Sequence, residues 1–556
     1  MASSSLPDVY QLVCNLIPKM GGQTRPLLVK ALEKIDERIS NNENLLLFLE
    51  APTGYGKSTL SLALYIAICL GRHDIASRVI HVLPMRSIGT DLKKRMEDYV
   101  ATLCEWLPVN TKDIGLQQMH SPGSPMFSKR FVITTLDTFV SSLYKIPAAE
   151  INKVYRYGTA HFEVPRAFIY TSIVVFDELH LYISSKTFTE GPSKSFTATL
   201  ACIKSLLTAG VPVIISTATL PAPIKNTMNE QLELWGLSNI KQEIIPSQKD
   251  REFVPRRIHV RTILNCFDEL FQRQTEIGNV LVVVNTVKKA VELYKVLKNI
   301  DGKWGVFLLH SRLVERERRN RLEMVSRYLE KKDKPVVLVS TQVVEAGVDL
   351  SFDTLITETA PPDSLLQRAG RVARYGGEGW VYVFPLSEEG SNVYGSQLPN
   401  QVFEKLRTDQ RLDHTLLEIY DQQTSSHNIQ LIDNIYRNVL LDLDRLPSHS
   451  LEFAKKVWEV VCGFVRDGEQ VTVVPETYLE KVMQSRDFTD YSFSVDDGVF
   501  HRLCREKMIR GVVSEDWRLE SLPDFSFGEC LSKQFFAKNV LAVVAGGYDE
   551  EVGLAG

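Results

Sequence analysis

The sequence predicts an α/β protein with two successive parallel-sheet domains, followed by a C-terminal mixed, partly helical region. Short, continuous apolar runs recur at intervals that suit strand–helix alternation, a pattern typical of buried parallel strands. The rhythm stops in a polar, proline-bearing stretch at 246–255 and then restarts, and helical periodicity replaces it from about Pro399. The 556 residues therefore divide into domains at 1–250, 251–395 and 396–556.

The apolar runs give the elements in order. The strands predicted for the first domain are 45–49, 79–83, 131–133, 173–176 and 213–215. The strands predicted for the second domain are 258–263, 280–284, 305–309, 336–339, 354–356 and 381–384. The last region combines helical periodicity at 402–420 and 431–443 with an apolar run at 471–474, so its fold stays open.

Composition restricts the class of protein. The net charge of −4 excludes a uniformly basic chain, so a nucleic-acid site has to be a local basic groove. The eight cysteines are scattered without a C-x-x-C pair, which predicts reduced thiols and a cytoplasmic protein. The N-terminus lacks the pattern of a signal peptide, and the longest apolar stretch, 60–70, is too short to span a bilayer.

The stretch 50–59, E-A-P-T-G-Y-G-K-S-T, lies between a predicted strand and a predicted helix, as a phosphate-binding loop does. Glycines let the backbone turn its N–H groups toward a polyphosphate, Lys57 reaches the β and γ phosphates, and Ser58 ligates Mg²⁺. A glycine-containing surface turn is the alternative interpretation. The predicted nucleotide contacts in this loop are Pro52, Thr53, Gly54, Tyr55, Gly56, Lys57, Ser58 and Thr59.

Two adjacent acids follow the strand 173–176. Because the strand ends beside the phosphate loop, Asp177 is predicted to hold Mg²⁺ with Ser58, and Glu178 to orient the attacking water. Acids that cap a helix are the alternative interpretation. The hydroxyl-rich turn 216–221, S-T-A-T-L-P, can hydrogen-bond these acids.

The second domain carries Q-R-A-G-R-V-A-R at 367–374. Arg368, Arg371 and Arg374 recur every three residues, which predicts one side of a helix. A solvated helix face is the alternative, but their position after a loop expected at the nucleotide cleft favours arginine-finger action on the γ phosphate. The predicted catalytic residues are Lys57, Asp177, Glu178, Gln367, Arg371 and Arg374, and Gly347 and Asp349 join the predicted nucleotide contacts.

The segments A-P-T-G-Y-G-K-S, D-E-L-H, S-T-A-T and Q-R-A-G-R-V-A-R, in this order, resemble the motif series of superfamily two DExH helicases. Residues 340–353 and 360–374, with L-H-S-R at 309–312, look like the CRISPR-associated helicases of type I interference, the Cas-three family. The tail 548–554 is also similar to the tail of that family. The resemblance covers residues 20–390 well, and it implies two RecA-like domains that use ATP and Mg²⁺.

The resemblance further implies a helicase that binds single-stranded DNA across both domains and unwinds target DNA exposed by an RNA-guided surveillance complex. Hydroxyls and backbone N–H groups on the DNA side suit phosphate contacts, which position a strand without reading its sequence. The residues that match the DNA-side segments are Pro84, Arg86, Thr134, Thr135, Asn285, Thr286, Ser340 and Thr341.

Two departures from the family pattern matter. Most members carry an HD nuclease domain, whereas about 45 residues precede the phosphate loop here and contain no histidine, so we expect a separate HD nuclease as partner. Gln23 stands before Arg-Pro and not after it, which leaves adenine recognition by Gln23 open. Two other functions stay open, a DExH helicase for RNA or repair intermediates and an ATP-gated clamp that never unwinds.

Overall fold

The structure is a computed structural model. It describes residues 4–52, 54–84, 86–118, 121–183, 191–218, 220–247, 250, 256–264, 278–299, 304–331, 334–345, 348–423, 431–432, 434–445, 451–465, 468–526 and 528–554. The chain forms two compact units, one from 1–253 with 421–467 and the other from 254–420 with 468–556. The stretch 396–556, predicted as a third domain, is thus shared between the two units.

An eight-stranded sheet forms the centre of the first unit. Its strands are β1 (Leu46–Glu50), β2 (Arg78–Leu83), β3 (Ile114–Gln118), β4 (Ser121–Pro122), β5 (Phe131–Thr135), β6 (Ser172–Asp177), β7 (Val213–Thr217) and β8 (Lys241–Ile244). They lie in the order β4-β3-β5-β2-β6-β7-β1-β8, and only the pair β3–β4 is antiparallel. The central strands are buried on both faces, which is why they occur as continuous apolar runs.

Helices cover this sheet. They are Leu6–Leu16, Pro26–Ser40, Ser58–Cys69, Arg86–Leu103, Leu136–Leu143, Ile151–Tyr157, Glu163–Tyr170, Lys194–Thr208, Ala222–Leu234, Asn434–Arg445 and Leu451–Val461. The first four pack in one apolar cluster with strand residues such as Leu47 and Val79. The helix Ser58–Cys69 is apolar on all sides because it lies within this cluster.

The second unit contains a six-stranded parallel sheet. Its strands are β9 (Arg256–Thr262), β10 (Val280–Val283), β11 (Gly305–Leu309), β12 (Val336–Ser340), β13 (Thr354–Glu358) and β14 (Gly377–Phe384). Their order is β11-β12-β10-β13-β14-β9. The helices that accompany this sheet are Val287–Lys298, Glu315–Lys331, Pro362–Ala369, Glu388–Tyr394, Gln397–Asp409 and Glu418–Gln423.

A five-stranded mixed sheet completes the second unit. Its strands are β15 (Gln470–Pro475), β16 (Phe493–Asp496), β17 (Ile509–Ser514), β18 (Leu519–Glu520) and β19 (Val540–Ala545), in the order β16-β15-β19-β17-β18. The accompanying helices are Leu479–Ser485, Asp497–Arg505 and Leu531–Ala537. The predicted fold class, two parallel-sheet domains with a mixed C-terminal region, is confirmed.

Two further expectations can be compared with the described residues. Among them, no helix combines the length and the apolar character needed to cross a bilayer. Free thiols occur at Cys14, Cys69, Cys104, Cys202 and Cys504.

Candidate nucleotide and nucleic-acid sites

The predicted site residues of the first unit lie where parallel strands end. Strands β1, β7 and β6 are neighbours, and the registers Glu50↔Thr217 and Asp177↔Ser216 bring their carboxyl ends level. The phosphate loop, the acid pair and the hydroxyl-rich turn therefore meet at one edge of the sheet, the usual location of a ligand site in such folds.

The phosphate loop has the backbone conformation that its glycines predict. Gly54 and Gly56 have φ angles of 83° and 84°, in the left-handed region that favours glycine. The N–H of Ala51 donates to the carbonyl of Thr217 at 3.0 Å, which ties the start of the loop to β7. The helix Ser58–Cys69 begins directly after the loop, so the partial positive charge of its N-terminus favours an anion there, although the N–H groups of Thr59 and Leu60 already donate to the carbonyls of Gly56 at 2.9 Å and Lys57 at 3.1 Å.

Glu178 is held from two sides. The Lys57 Nζ lies 3.0 Å from Glu178 Oε1, and the N–H of Ala218 donates to Oε2 at 2.9 Å. Glu178 has a φ of 50°, a left-handed conformation that costs energy for a residue with a side chain and is common at functional sites. The carboxylate predicted to orient water is thus fixed beside the lysine predicted to bind phosphate.

Asp177 is supported by a buried histidine. His81 Nε2 lies 3.4 Å from Asp177 Oδ2, and His81 Nδ1 lies 2.9 Å from the hydroxyl of Ser61. Burial raises the pKa of Asp177, but hydrogen bonding to His81 and the charges of His81 and Lys57 outweigh burial and lower the pKa below its ordinary value. The carboxylate form that a cation requires is therefore favoured.

Sequence reasoning missed His81. Its only signal was a histidine inside the apolar run of β2, and a buried histidine there is as easily a core residue. Its partners lie on β6 and on the helix after the phosphate loop, so tertiary structure was needed to reveal the contact.

The oxygen atoms at this edge fit a divalent cation. Asp177 Oδ1 and the hydroxyl of Ser216 are buried, and within the described part of the chain neither makes a hydrogen bond of good geometry. The hydroxyl of Ser58 accepts a hydrogen bond from Arg95 Nη2 at 3.3 Å. Carboxylate and hydroxyl oxygens are the ligands that Mg²⁺ prefers, so Ser58 and Asp177 fit the metal role predicted for them.

The segment that carries Gln23 lies beside the phosphate loop. The N–H of Leu27 donates to the hydroxyl of Tyr55 at 3.2 Å, and Gln23 is exposed. Burial raises the pKa of Tyr55, so its hydroxyl stays protonated and neutral. Thr53 in the loop lies outside the described residues.

The predicted nucleic-acid residues of the first unit lie after β2 and at the end of β5, and these two strands end side by side. Both threonine side chains are buried: Thr134 Oγ1 donates to the carbonyl of Gln117 at 2.8 Å, and Thr135 Oγ1 donates to Thr138 Oγ1 at 3.1 Å. Pro84 follows β2 directly, and the side chain of Arg86 lies outside the described residues. Direct contact of these residues with a strand stays a prediction.

In the second unit, Asn285 and Thr286 follow β10. The Asn285 side chain is buried: its Nδ2 donates to the carbonyl of Thr359 at 2.9 Å, and its Oδ1 accepts from Arg368 Nη2 at 2.9 Å. Thr286 caps the helix Val287–Lys298 by accepting from the N–H of Lys289 at 3.3 Å. Both side chains therefore shape the loop, and their contact with a strand stays a prediction.

Ser340 ends the neighbouring strand β12, and Thr341 follows it. The Ser340 hydroxyl donates to the carbonyl of Leu309 at 2.8 Å, and the N–H of Thr341 reaches the same carbonyl at 3.3 Å. These contacts join the carboxyl ends of β12 and β11, so the two loops form one surface.

The arginine motif differs from its predicted geometry. The helix Pro362–Ala369 ends before Arg371, so the expectation that Arg368, Arg371 and Arg374 share one side of a helix is wrong. Arg371 is buried and donates to the carbonyls of Val344 at 2.8 Å and Glu345 at 2.6 Å. The motif turns sharply here, as the positive φ of Ala373 shows.

Arg374 Nε forms an ion pair with Asp349 Oδ1 at 3.0 Å, which places the predicted nucleotide contact Asp349 at the arginine motif. Gln367 is buried in the preceding helix, and Gly347 lies outside the described residues. The catalytic roles of Gln367, Arg371 and Arg374 stay predictions.

Models of known protein families match parts of both units. A family model described as CRISPR-associated nuclease/helicase Cas3, C-terminal, matches residues 276–377. A model described as DEAD/DEAH box helicase matches residues 31–227, which include the phosphate loop and the acid pair.

Curated relatives extend the match. The CRISPR-associated helicase Cas3 of Thermoproteus tenax is 29% identical over 393 residues, which cover 68% of this chain and 62% of that protein. The CRISPR-associated nuclease/helicase Cas3 of Methanothermobacter thermautotrophicus is 23% identical over 510 residues, 85% of this chain and 54% of that protein. The chain therefore spans between about half and two thirds of the length of these relatives.

Solved structures share the fold. The crystal structure of T. fusca Cas3 with ATP aligns over 95% of this chain and 68% of that chain, with a TM-score of 0.61 and 16% identity. A CRISPR RNA-guided surveillance complex in its pre-nicking state aligns over 92% of this chain and 66% of that chain, with a TM-score of 0.56 and 16% identity.

Proposed function

Because the chain belongs to the Cas3 helicase family, we propose that it is an ATP-dependent translocase that unwinds target DNA by moving along single-stranded DNA in type I CRISPR interference. The observation that carries the proposal is the assembly of Lys57, Asp177 and Glu178 at one edge of the first sheet. This set has the residues that phosphoryl transfer needs, a cation for phosphate, a metal ligand and a carboxylate for water.

In the proposed reaction, ATP binds the phosphate loop, with Lys57 on its β and γ phosphates and Glu178 orienting the attacking water. Ser58 and Asp177 hold Mg²⁺, which, when bound, neutralises charge on the transferred phosphoryl group. Arg371 and Arg374 of the second unit act on the γ phosphate. Hydrolysis then moves the two RecA-like domains and advances the protein along the strand.

The proposed partners are single-stranded DNA, an RNA-guided surveillance complex and a separate HD nuclease. The similarity in fold to a protein in a surveillance complex supports the second of these. Co-purification of the tagged chain with the surveillance proteins and with an HD nuclease from one CRISPR locus is the test, and failure to recover either would remove that partner from the proposal.

The helicase proposal is tested by two measurements on the wild-type protein. We expect single-stranded DNA to stimulate ATP hydrolysis, and ATP to drive strand displacement from a tailed duplex. Stimulation by RNA alone would favour a DExH helicase for RNA. Hydrolysis without displacement, even with the partners present, would favour the ATP-gated clamp.

A further expectation concerns His81, which contacts Asp177. Replacing His81 with phenylalanine keeps an aromatic ring but removes both ring nitrogens, so Asp177 loses its contact with the imidazole. We expect the Mg²⁺ concentration for half-maximal ATP hydrolysis to rise about 10- to 100-fold, as for loss of other groups that orient metal ligands.

The control for this variant is Ser61→Ala, which removes the hydroxyl behind His81 but keeps the imidazole next to Asp177. We expect Ser61→Ala to raise the Mg²⁺ concentration for half-maximal ATP hydrolysis less than His81→Phe does. An unchanged Mg²⁺ dependence in His81→Phe, with a melting temperature near that of the wild type, would contradict the role of His81.

A further inference from the structure

The segment Tyr548–Leu554, here named the strap, crosses the loop that follows β11. The loop runs from Leu309 to Val314. The N–H of Val314 donates to the hydroxyl of Tyr548 at 3.1 Å, and the N–H of Leu554 donates to the carbonyl of Arg312 at 3.2 Å. Both ends of the strap therefore contact the loop.

Between the two ends of the strap, Val552 contacts a buried histidine of the loop. His310 Nε2 lies 3.0 Å from the carbonyl of Val552, and His310 Nδ1 accepts from the N–H of Arg312 at 3.1 Å. Burial, opposed by the hydrogen bond to Val552, lowers the pKa of His310 to about 3. The imidazole is thus neutral, with its proton on Nε2, and it sets the conformation of the loop from inside.

A glycine makes the close approach possible. Gly553 has a φ of 70°, and a Cβ atom added there would lie 2.7 Å from the carbonyl oxygen of Arg312 and 2.9 Å from the ring of His310. Both the conformation and the space exclude a larger side chain at this position.

The strap is itself fixed to the helices next to the loop. Arg321 Nη2 donates to the carbonyls of Glu550 and Glu551, each at 2.7 Å, while Arg321 Nη1 donates to Leu308 at 2.8 Å. The hydroxyl of Tyr294 donates to Glu551 Oε1 at 2.7 Å. One buried arginine thus spans the strap and the end of β11.

The loop adjoins residues on the predicted nucleic-acid side. The carbonyl of Leu309, where the loop begins, accepts from Ser340 and Thr341, two of the residues expected to contact a strand. Burial, with the positive charge of Arg502, lowers the pKa of Arg312, and Asp496 opposes this. Positive charge at this edge suits a phosphate backbone.

We propose that the strap is a positioning element that fixes the carboxyl ends of β11 and β12 in the conformation that binds the backbone of single-stranded DNA. The proposal rests on the proposed function, because it names what positions that nucleic-acid site. The strap packs against the loop at Gly553 and is held there by the buried contacts of His310 and Arg321. The position of the strap therefore sets the conformation of the loop.

The test uses the full chain with Gly553→Ala, which displaces the strap from the loop. We expect faster amide hydrogen exchange at 309–314, and weaker binding of a labelled single-stranded oligothymidine by about tenfold, the effect of losing one charge-assisted phosphate contact. Affinity for a fluorescent ATP analogue, measured without DNA, should not change, because the phosphate loop lies in the other unit.

Gly528→Ala is the matched control, since Gly528 also has a positive φ, 94°, but nothing lies within 4 Å of an added Cβ. Equal affinity of the two variants for the oligothymidine, or unchanged exchange at 309–314 in Gly553→Ala, would overturn the proposal. If Gly553→Ala does not fold, Glu551→Ala, which removes the contact with Tyr294, takes its place. Amide exchange at 309–314 and affinity for the oligothymidine are then measured on that variant, with the same expected results.

The strap and the proposed function fail in different ways. Wild-type protein that does not bind the oligothymidine would contradict the proposed function. Wild-type protein that binds it, together with a Gly553→Ala variant that binds it equally well, would contradict the strap alone.

Discussion

Glu178→Gln is expected to lower ATP turnover at saturating single-stranded DNA about 10²- to 10⁴-fold, the usual contribution of a positioned general base. The amide keeps the size of the carboxylate, so the variant should fold normally. It removes the charge that pairs with Lys57 Nζ at 3.0 Å, and it replaces one of the two basic oxygens of the carboxylate with an amide NH₂, which cannot accept a proton from water. Steady-state phosphate release measures the loss.

Nucleotide affinity distinguishes a role of Glu178 in ATP hydrolysis from a role in ATP binding. Because we propose that Lys57, and not Glu178, contacts the phosphates, Glu178→Gln should bind a fluorescent ATP analogue at least as tightly as the wild type, whereas Lys57→Ala should lose that binding. Glu37→Gln, at an exposed helix position in the same unit, is the matched control and should keep full turnover. Turnover in Glu178→Gln within threefold of the control would remove Glu178 from its role.

The parts of the site that the sequence could predict are the local ones. The phosphate loop is specified by glycines at 54 and 56, whose positive φ angles follow from the motif, and by the strand and helix on either side. Asp177 and Glu178 end a buried apolar run, so their location at the edge of a parallel sheet followed from the fold.

The strands likewise fall into two groups, those whose positions could be predicted from the sequence and those whose positions could not. Central strands such as β1 and β12 are buried on both faces and occur as apolar runs, so their positions could be predicted. The outer strands β3 (I-G-L-Q-Q) and β8 (K-Q-E-I) gave no such signal, because polar residues interrupt the apolar run in both, although every residue of β3 is buried.

The contacts that pattern reasoning missed join residues far apart in sequence. His81 supports Asp177 from another strand, and the strap contacts a loop more than 230 residues earlier, as the pair Val314–Tyr548 shows. The arginine motif shows the same limit, because a spacing of three residues predicted a common helix face, whereas the helix ends at Ala369 and buries Arg368.

Burial of Arg368 leads to the second large expected effect. The side chain has 0% exposure, and its guanidinium donates to Glu345 Oε1 at 2.8 Å and to Thr357 Oγ1, the carbonyl of Glu358 and Asn285 Oδ1, each at 2.9 Å. These partners lie at the ends of β10 and β13 and next to β12. Arg368 therefore joins the loop of the predicted nucleic-acid residue Asn285 to the arginine motif.

Arg368→Met is expected to lower the free energy of unfolding by about 3–5 kcal/mol, because it leaves the buried carboxylate of Glu345 without its partner. Arg407→Met, at an exposed ion pair with Glu404, is the matched control and should change stability by less than about 1 kcal/mol. Urea denaturation followed by circular dichroism measures both.

The pH dependence of the stability of Arg368→Met tests whether the carboxylate of Glu345 causes the loss of stability. Burial and the charge of Asp363 raise the pKa of Glu345, while Arg368 lowers it, and the net pKa is above the ordinary value. Removing Arg368 raises it further, so the native variant keeps a proton that the unfolded chain releases, and its stability falls as pH rises through this window. The difference in free energy of unfolding between the wild type and Arg368→Met should therefore be smaller at pH 5 than at pH 8.

The double variant Arg368→Met with Glu345→Gln completes the argument, since it removes both charges of the pair. It should be more stable than Arg368→Met alone at pH 8, because no uncompensated carboxylate remains in the core. If the double variant is as unstable as the single one, and the deficit does not depend on pH, then lost packing and the other hydrogen bonds of the guanidinium hold this region together, and the ion pair does not.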